Sequence, residues 1–167
     1  SVDDSMPLSA QDRIFLAKCE AVKASSHDPD RQVGAVIVSG EGAVLATGSN
    51  APPKELQLGV AQSHEFIRQD PNWKYYVLEH AERNAIRNAY AQGHVVTGAT
   101  MYGTLYPCSD CARAIVAAGI KRLVVPAPHS NPERDQKWSA QYHYAEDIFE
   151  MAGTRVDFAL PNDAAST

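Results

Sequence analysis

Two short strings in the 167-residue sequence combine residue types that bind transition metals and move protons. His80-Ala81-Glu82 contributes an imidazole and a carboxylate, and Cys108 and Cys111 contribute two thiols at a spacing of one helical turn. A helix that begins at the first cysteine would point both sulfurs the same way, and its positive N-terminal end would stabilise them as thiolates, the form that binds metal. One imidazole and two thiolates predict a zinc site.

Three protein ligands are typical of a catalytic zinc ion, whereas a structural ion takes all four ligands from the chain. Water in the open position drops in pKa from about 15.7 to about 7 and becomes the nucleophile of a hydrolysis. Glu82 follows His80 by two residues, a turn of about 200 degrees around a helix axis, so we expect it to move protons rather than bind metal. H-x-E with P-C-x-x-C is the described signature of zinc deaminases, in which the glutamate is acid and base.

Other interpretations of these strings stay open. Cys19, the third cysteine, could be the fourth ligand of a structural zinc ion, or the C-x-x-C pair could lie on a helix without metal. Neither interpretation accounts for a His-Ala-Glu string at a helix start or for the proline before Cys108. A zinc-stabilised scaffold without catalysis is a further alternative, and its function would survive substitution of Glu82.

The composition favours one small domain and disfavours a binder of long nucleic acid. Hydrophobic residues make up 44% of the chain and charged residues 21%, which suits a single core. A net charge of −5 does not suit a surface that grips a phosphodiester backbone. No apolar run approaches the roughly 20 residues that cross a bilayer, and the start lacks the order of a signal peptide. We expect a cytoplasmic protein without a membrane partner, one domain over residues 1–167 with frayed ends at 1–8 and 161–167.

The elements that must position the chemical residues follow from periodicity and turn signals. Five strands are predicted, at 33–38, 43–49, 100–106, 122–126 and 154–158. Helices are predicted from a capping box at Ser9, at 79–92, at 109–118, and from Trp138 to residue 152, where an aromatic stripe should pack on the sheet. The first two strands should form a hairpin, and residues 100–126 a right-handed β-α-β unit with parallel strands.

Two connections interrupt this order. Residues 51–76 are irregular apart from a possible short helix at 60–69, and a loop of this length in a small domain could form the wall or lid of a pocket. Residues 127–136 are predicted to be a loop before the last helix. The irregular segment at 51–76 therefore becomes the candidate for a pocket wall.

From about Phe15 to Phe158 the chain resembles the cytidine and deoxycytidylate deaminase superfamily, and its deoxycytidylate branch most of all. The resemblance is carried by the strings HAERNAI at 80–86, MYGTLYPC at 101–108, CARAI at 111–115, AGIK at 118–121, and SHDP at 26–29 ahead of VGAVI at 33–37. It implies an α/β protein with a three-layer α/β/α fold and a five-stranded mixed sheet. It also implies zinc (Zn2+) held by His80, Cys108 and Cys111.

The resemblance further implies a reaction and a substrate class. Attack at C4 of a cytosine ring releases the exocyclic amino group, while Glu82 protonates N3 and later the departing ammonia. The backbone at Ala81 would hold the base carbonyl, and Asn50 would contact the sugar. The expected partner is a small-molecule amino-pyrimidine or nucleotide, most of all a deoxycytidylate-like one, with the chain acting as a homo-oligomer, a dimer or hexamer.

Two departures from the branch bear on the choice of substrate. His27 stands where the branch commonly has a lysine, and GSNA at 48–51 replaces the usual GYNG, which weakens the expectation of phosphate recognition and of nucleotide regulation. Arg31 and Arg83 could supply the missing cation, since a guanidinium binds phosphate in a fork. A free nucleoside, base or other amino-heterocycle therefore stays open as the substrate. A transfer-RNA adenosine type of activity shares the zinc strings but conflicts with the acidic charge balance.

Overall fold

A computed structural model of the protein describes residues 8–128 and 132–164, and within these ranges it contains six α-helices and five strands. The helices are α1 (Ala10–Val22), α2 (Val60–Gln69), α3 (Trp73–Val77), α4 (Ala81–Ala91), α5 (Ser109–Ala117) and α6 (Pro132–Ala152). The strands are β1 (Gly34–Val38), β2 (Val44–Ser49), β3 (Thr100–Gly103), β4 (Arg122–Pro126) and β5 (Arg155–Ala159).

The five strands form one mixed sheet in the order β2-β1-β3-β4-β5. Strand β1 pairs antiparallel with both β2 and β3, whereas β3, β4 and β5 run parallel to one another. This arrangement confirms the predicted hairpin and the predicted β-α-β unit. Because α5 and α6 are the crossovers between parallel strands, the N-terminal end of each lies beyond the carboxyl end of the strand before it.

Helices cover both faces of the sheet, which confirms the predicted three-layer α/β/α fold. Alternate strand residues explain why: Val36 and Val38 of β1 pack with α1, and Ala35 and Ile37 pack with the opposite helices. A fully apolar strand is expected where both faces are covered. The α1 layer contributes Phe15 among its buried residues, while α4, α5 and α6 form the other layer.

The last helix differs from its prediction at its N-terminus. Helix α6 begins at Pro132, inside the segment 127–136 that was predicted to be a loop. Its aromatic stripe does pack in the core at Tyr142 and Phe149, which are 3% and 2% exposed. Apolar periodicity marks only the part of a helix that faces a core, so the first turns of α6, which leave the core, carried no such signal.

Smaller differences concern the segment 51–76 and the ends. The predicted helix at 60–69 is α2, but the chain also forms α3, a five-residue helix too short to show periodicity. Most of the ends predicted to be frayed lies outside the described residues, although Leu8 and Asp163, which are described, are buried. Within the described residues, none of the helices combines the length and the apolarity needed to span a bilayer.

Candidate functional site

The starts of α4 and α5 bring the predicted metal ligands together. His80 is the N-cap of α4 and Cys108 is the N-cap of α5, both with extended backbone, and Cys111 lies in the first turn of α5. Within the described residues, His80, Cys108 and Cys111 form a group whose ligand atoms all lie within 4.8 Å of one another. The structure therefore unites the three residues that the spacing singled out.

The geometry of this group suits a zinc ion. Nδ1 of His80 lies 3.4 Å from the Sγ atoms of both Cys108 and Cys111. A tetrahedral ion with a Zn–N distance of ~2.0 Å and a Zn–S distance of ~2.3 Å holds nitrogen and sulfur about 3.5 Å apart. The donor set of one imidazole and two thiols is also one that zinc prefers, so the residues fit the metal that the sequence predicts.

The electrostatics of the group also favour a cation. A hydrogen bond with Cys108 raises the pKa of His80 to about 9. The pKa of Cys108 is lowered to about 4, mainly by its hydrogen bond with Cys111 and also by His80. Hydrogen bonding with Cys108, together with burial, raises the pKa of Cys111. The site thus stabilises a thiolate that is largely removed from water, which a divalent cation would neutralise.

Glu82 lies beside the ligand group without belonging to it. Its side chain is 6% exposed, and this burial raises the pKa of its carboxyl group. The helix-axis argument does not apply as predicted, because His80 precedes the helix as its N-cap rather than sharing its wheel. Hydrogen bonding between Glu82 and Cys111 nevertheless keeps the carboxylate next to the metal ligands. A buried carboxyl with a raised pKa is suited to accept and return protons.

Cys19 is not a fourth ligand. It lies in α1 on the opposite face of the sheet, fully buried among apolar residues that include Phe15 and Leu16. Burial raises the pKa of its thiol. The interpretation of a structural zinc ion completed by Cys19 is therefore wrong, since the sheet separates this thiol from the other two.

A cavity of about 570 Å³ opens over the ligand group, within the range usual for small-molecule sites. His80, Glu82 and Cys108 form part of its wall. The side chains of Tyr106 and Trp138 contribute aromatic surface, and the Tyr106 ring packs edge-to-face on buried Tyr142 of α6, with ring centroids 5.6 Å apart. Helix α6 thus forms one side of the cavity. The sequence predicts a loop for the first part of this helix and a stripe of core residues for the rest.

The two predicted substrate contacts both line this cavity. Ala81 is the first residue of α4, where a backbone N–H has no partner within the helix and can donate outward. Asn50 is partly occupied by the protein: its Oδ1 accepts from Val33 N–H and from the Ser26 hydroxyl, and its Nδ2 donates to the Arg31 carbonyl. One amide hydrogen of Asn50 remains for a ligand.

The cationic side chains near the cavity differ in whether they line it and in whether a carboxylate of the protein already pairs with them. Lys74 lines the cavity but donates to Asp28 at 3.1 Å and to Asp30 at 3.3 Å. Arg31 also lines it, and its guanidinium has no side-chain partner among the described residues. Neither Arg83 nor His27 is among the described residues of the cavity wall. Of the two arginines that the sequence offered, the structure places only Arg31 at the cavity.

Among the cavity residues that the sequence did not single out are three with polar side chains on two helices. Lys74 lies on α3, and Lys137 and Gln141 lie on α6. Lys137 connects these two helices, because its Nζ donates to the Tyr75 hydroxyl at 2.9 Å and lies 4.3 Å from the centre of the Tyr75 ring. No short motif marks them, since they approach the site only through the packing of α3 and α6. Proline at the first position of α6, followed by acidic residues, was the signal that could have extended that helix.

Comparisons with known proteins agree with this geometry. The family model of the cytidine and deoxycytidylate deaminase zinc-binding region matches residues 9–127. The deoxycytidylate deaminase of Homo sapiens is 32% identical over 147 residues, 88% of this chain and 78% of that protein. An uncharacterised deaminase of Aliivibrio fischeri is also 32% identical, covering 89% of this chain and 92% of that protein.

A solved structure shows the same fold at low sequence identity. The dCMP deaminase of cyanophage S-TIM5, solved in complex with dCMP and dUMP, matches with a TM-score of 0.68 at 20% identity, covering 92% of this chain and 100% of that one. The chain belongs to the cytidine and deoxycytidylate deaminase family and is a zinc-dependent hydrolytic deaminase.

Proposed function

We propose that the protein removes the exocyclic amino group of a deoxycytidylate-like nucleotide, with uracil nucleotide and ammonia as products. One observation carries this proposal: a ligand group for zinc and a buried glutamate, Glu82, line a cavity that Arg31 also lines, and the Arg31 guanidinium has no side-chain partner in the described part of the chain. The bound metal ion would supply an activated water at neutral pH. The human relative is a deoxycytidylate deaminase, which supports the choice of substrate.

Glu82 would move all the protons of this reaction. Its carboxylate takes a proton from the attacking water and delivers it to N3 as the oxygen bonds to C4. It then takes the proton of the new C4 hydroxyl and delivers it to the amino nitrogen, so that ammonia leaves and C4 becomes a carbonyl. Burial supports this role because it raises the pKa of Glu82 towards the working range of an acid and base.

Ala81 and Asn50 would orient the substrate. The unpaired N–H at the start of α4 would donate to the base carbonyl, and the remaining amide hydrogen of Asn50 would donate to the sugar. Both residues line the cavity beside Glu82. The proposal therefore assigns the base to the floor, at the ligand group, and the phosphate to the part of the wall that contains Arg31.

A second candidate substrate is a free nucleoside or base, and one observation favours it. Beyond Glu82, the cavity wall contains four carboxylates, of Asp28, Asp30, Asp110 and Glu133. Two of them bind Lys74 and so neutralise one of the cavity cations. An uncharged ligand would meet no repulsion from this surface, whereas a phosphate depends on Arg31 and on Lys137.

Substitution of Arg31 tests the choice between these substrates. We expect Arg31→Gln to lower kcat/KM for dCMP by about 10- to 100-fold, because a hydrogen bond to a charged group contributes about 1.5–3 kcal/mol. The rate with deoxycytidine should stay within twofold. Ammonia release by the zinc-loaded protein measures both values. Arg87→Gln is the matched control, since Arg87 is exposed and pairs with Glu55 outside the cavity.

The same assay can contradict the proposal in two ways. Equal kcat/KM for dCMP and deoxycytidine in the unsubstituted protein would show that the phosphate is not recognised and would favour the second candidate. Unchanged dCMP turnover in Arg31→Gln would remove Arg31 as the phosphate contact.

A further inference from the structure

Gln141 of α6 reaches the start of α5, next to the ligand group. Its Oε1 accepts two hydrogen bonds from Ser109, one from the backbone N–H at 2.9 Å and one from the hydroxyl at 2.6 Å. Ser109 directly follows the metal ligand Cys108 and is the first residue of α5. The side-chain oxygen of Gln141 therefore satisfies a backbone N–H that the helix itself cannot pair.

These two bonds fix the orientation of the Gln141 amide. A backbone N–H can only donate, so the atom that faces Ser109 must be the carbonyl oxygen, and the NH2 group must occupy the other end. Nε2 of Gln141 has no hydrogen-bond partner among the described residues. Every buried side-chain nitrogen or oxygen of those residues does have a partner, so Nε2 is not buried. Nε2 is therefore accessible to solvent, and Gln141 is one of the residues that line the cavity.

We propose that Gln141 is a specificity-determining residue whose side-chain NH2 donates a hydrogen bond to an oxygen of the substrate. This inference rests on the proposed function and adds a residue to the same site. The two hydrogen bonds with Ser109, called the clamp below, hold the Gln141 amide in place before the substrate binds. Little side-chain entropy is therefore lost on binding. A carbonyl, hydroxyl or phosphate oxygen would each serve as the acceptor, whereas the amino group of the substrate would not.

Two substitutions separate this donor role from a purely structural one. Gln141→Glu keeps an oxygen for both Ser109 donors but replaces the NH2 group with a second acceptor. Gln141→Met removes the clamp and the donor together. If Gln141 only holds α5, the glutamate variant should behave as the parent does, and the methionine variant alone should be impaired.

We expect Gln141→Glu to lower kcat/KM at least tenfold while its zinc content and Tm match those of the parent protein. Gln141→Met should lower kcat/KM at least as much. Each zinc-loaded variant is assayed with dCMP, deoxycytidine and cytosine. A loss confined to dCMP identifies the phosphate as the acceptor, a loss that extends to deoxycytidine identifies the sugar, and a loss with all three identifies the base carbonyl.

Several outcomes would overturn the inference. Gln141→Glu within twofold of the parent on every substrate would leave Gln141 with a structural role or none. A fall in zinc content that accounts for the lost activity of this variant would also overturn the inference, because the loss would then arise at the ligand group and not from the missing donor. A parent protein that turns over deoxycytidine or cytosine but not dCMP contradicts the proposed function alone. The Gln141 comparison is then made on the substrate that does react.

Discussion

Cys108 and Cys111 occupy one helical turn, but their thiols differ in acid strength. The pKa of Cys108 is lowered to about 4 while that of Cys111 is raised, in both cases chiefly by the hydrogen bond between them. At neutral pH, protons therefore remain on Cys111 and on His80, whose pKa is raised to about 9. Binding of a divalent ion requires two thiolates and a neutral imidazole, so metal binding should release protons and depend on pH.

Glu82→Gln tests the proposed acid and base of the reaction. The amide cannot accept a proton from water, and positioned acid–base groups contribute about 10²- to 10⁴-fold to a rate, so we expect kcat to fall by that range. The zinc content should not change, because Glu82 is outside the ligand group. Ammonia release and metal analysis measure the two quantities.

Glu55→Gln provides the matched control for that substitution. Glu55 is exposed and pairs with Arg87 at the surface, so its loss should leave kcat within twofold. Full activity in Glu82→Gln would contradict the assignment of Glu82 as the acid and base.

The ligand residues could be predicted from the sequence because the spacing of metal-binding residue types is itself the signal of a metal site. His80, Cys108 and Cys111 each lie at a helix start, where local signals such as the proline before Cys108 are strong. Lys74 and Gln141 could not be predicted in this way. Each reaches the cavity from a helix whose position is set by long-range packing, and neither belongs to a motif.

At the scale of elements, α4 must approach β2 closely to bring His80 to the site. Gly48 of β2 makes this possible, since a Cβ there would lie 2.4 Å from the backbone N of Ala85 and 2.5 Å from the carbonyl O of Ala81. Both contacts are with helix backbone, which cannot move aside as a side chain can. The glycine therefore sets the distance between the strand and the helix that begins at His80.

Gly48→Ala should push α4 away from the sheet. We expect the free energy of unfolding to fall by about 1–3 kcal/mol, the usual cost of overpacking, and zinc affinity to fall with it because His80 is displaced from the two thiols. Urea unfolding and competition with a chromogenic chelator measure the two effects. In Gly40→Ala, where an added Cβ has no neighbour within 4 Å, both values should stay near those of the parent. Wild-type zinc affinity in Gly48→Ala would show that α4 is not positioned by this contact.

The strands were easier to predict than the first turns of α6. Strand β1 is buried along its whole length, and its continuous apolar run is typical of a strand covered on both faces. The start of α6 instead has charged and polar residues, among them Glu133 and Lys137, which face the cavity or solvent. A helix that borders a functional cavity lacks the apolar stripe by which helices are recognised.

At the scale of the whole molecule, the sheet separates two groups of charged residues, one on each of its faces. The ligand group and Glu82 lie on the side of α4 and α5, whereas a network around Asp12 lies on the side of α1. The Asp12 carboxylate accepts from the Tyr102 hydroxyl at 2.6 Å and from both terminal nitrogens of Arg122 at 2.9 Å. Arg122 also donates to Asp157 at 2.8 Å, so the network joins α1 to β3, β4 and β5.

The homo-oligomer that the resemblance implies stays a prediction.

The Asp12 network should make stability depend on pH in a defined direction. Burial alone would raise the pKa of Asp12, but hydrogen bonds from Arg122 and Tyr102 outweigh it and hold the pKa well below the usual 3.8. A carboxyl group whose pKa is lowered by folding stabilises the folded state above its unfolded pKa and loses that contribution as pH falls. The network therefore contributes fully at neutral pH and progressively less below about pH 4.

Asp12→Asn tests this network. At pH 7 we expect the free energy of unfolding to fall by about 2–3 kcal/mol, somewhat less than for a fully buried pair because Arg122 is partly exposed and keeps Asp157. Urea unfolding at pH 7 and pH 3 should show the difference between the two proteins narrowing in acid. Glu20→Gln, which breaks a solvent-accessible pair with Lys23 at the C-terminal end of α1, should change stability by less than about 0.5 kcal/mol at either pH. A difference for Asp12→Asn that stays constant or grows between pH 7 and pH 3 would show that the ionised carboxylate is not what stabilises this side of the sheet.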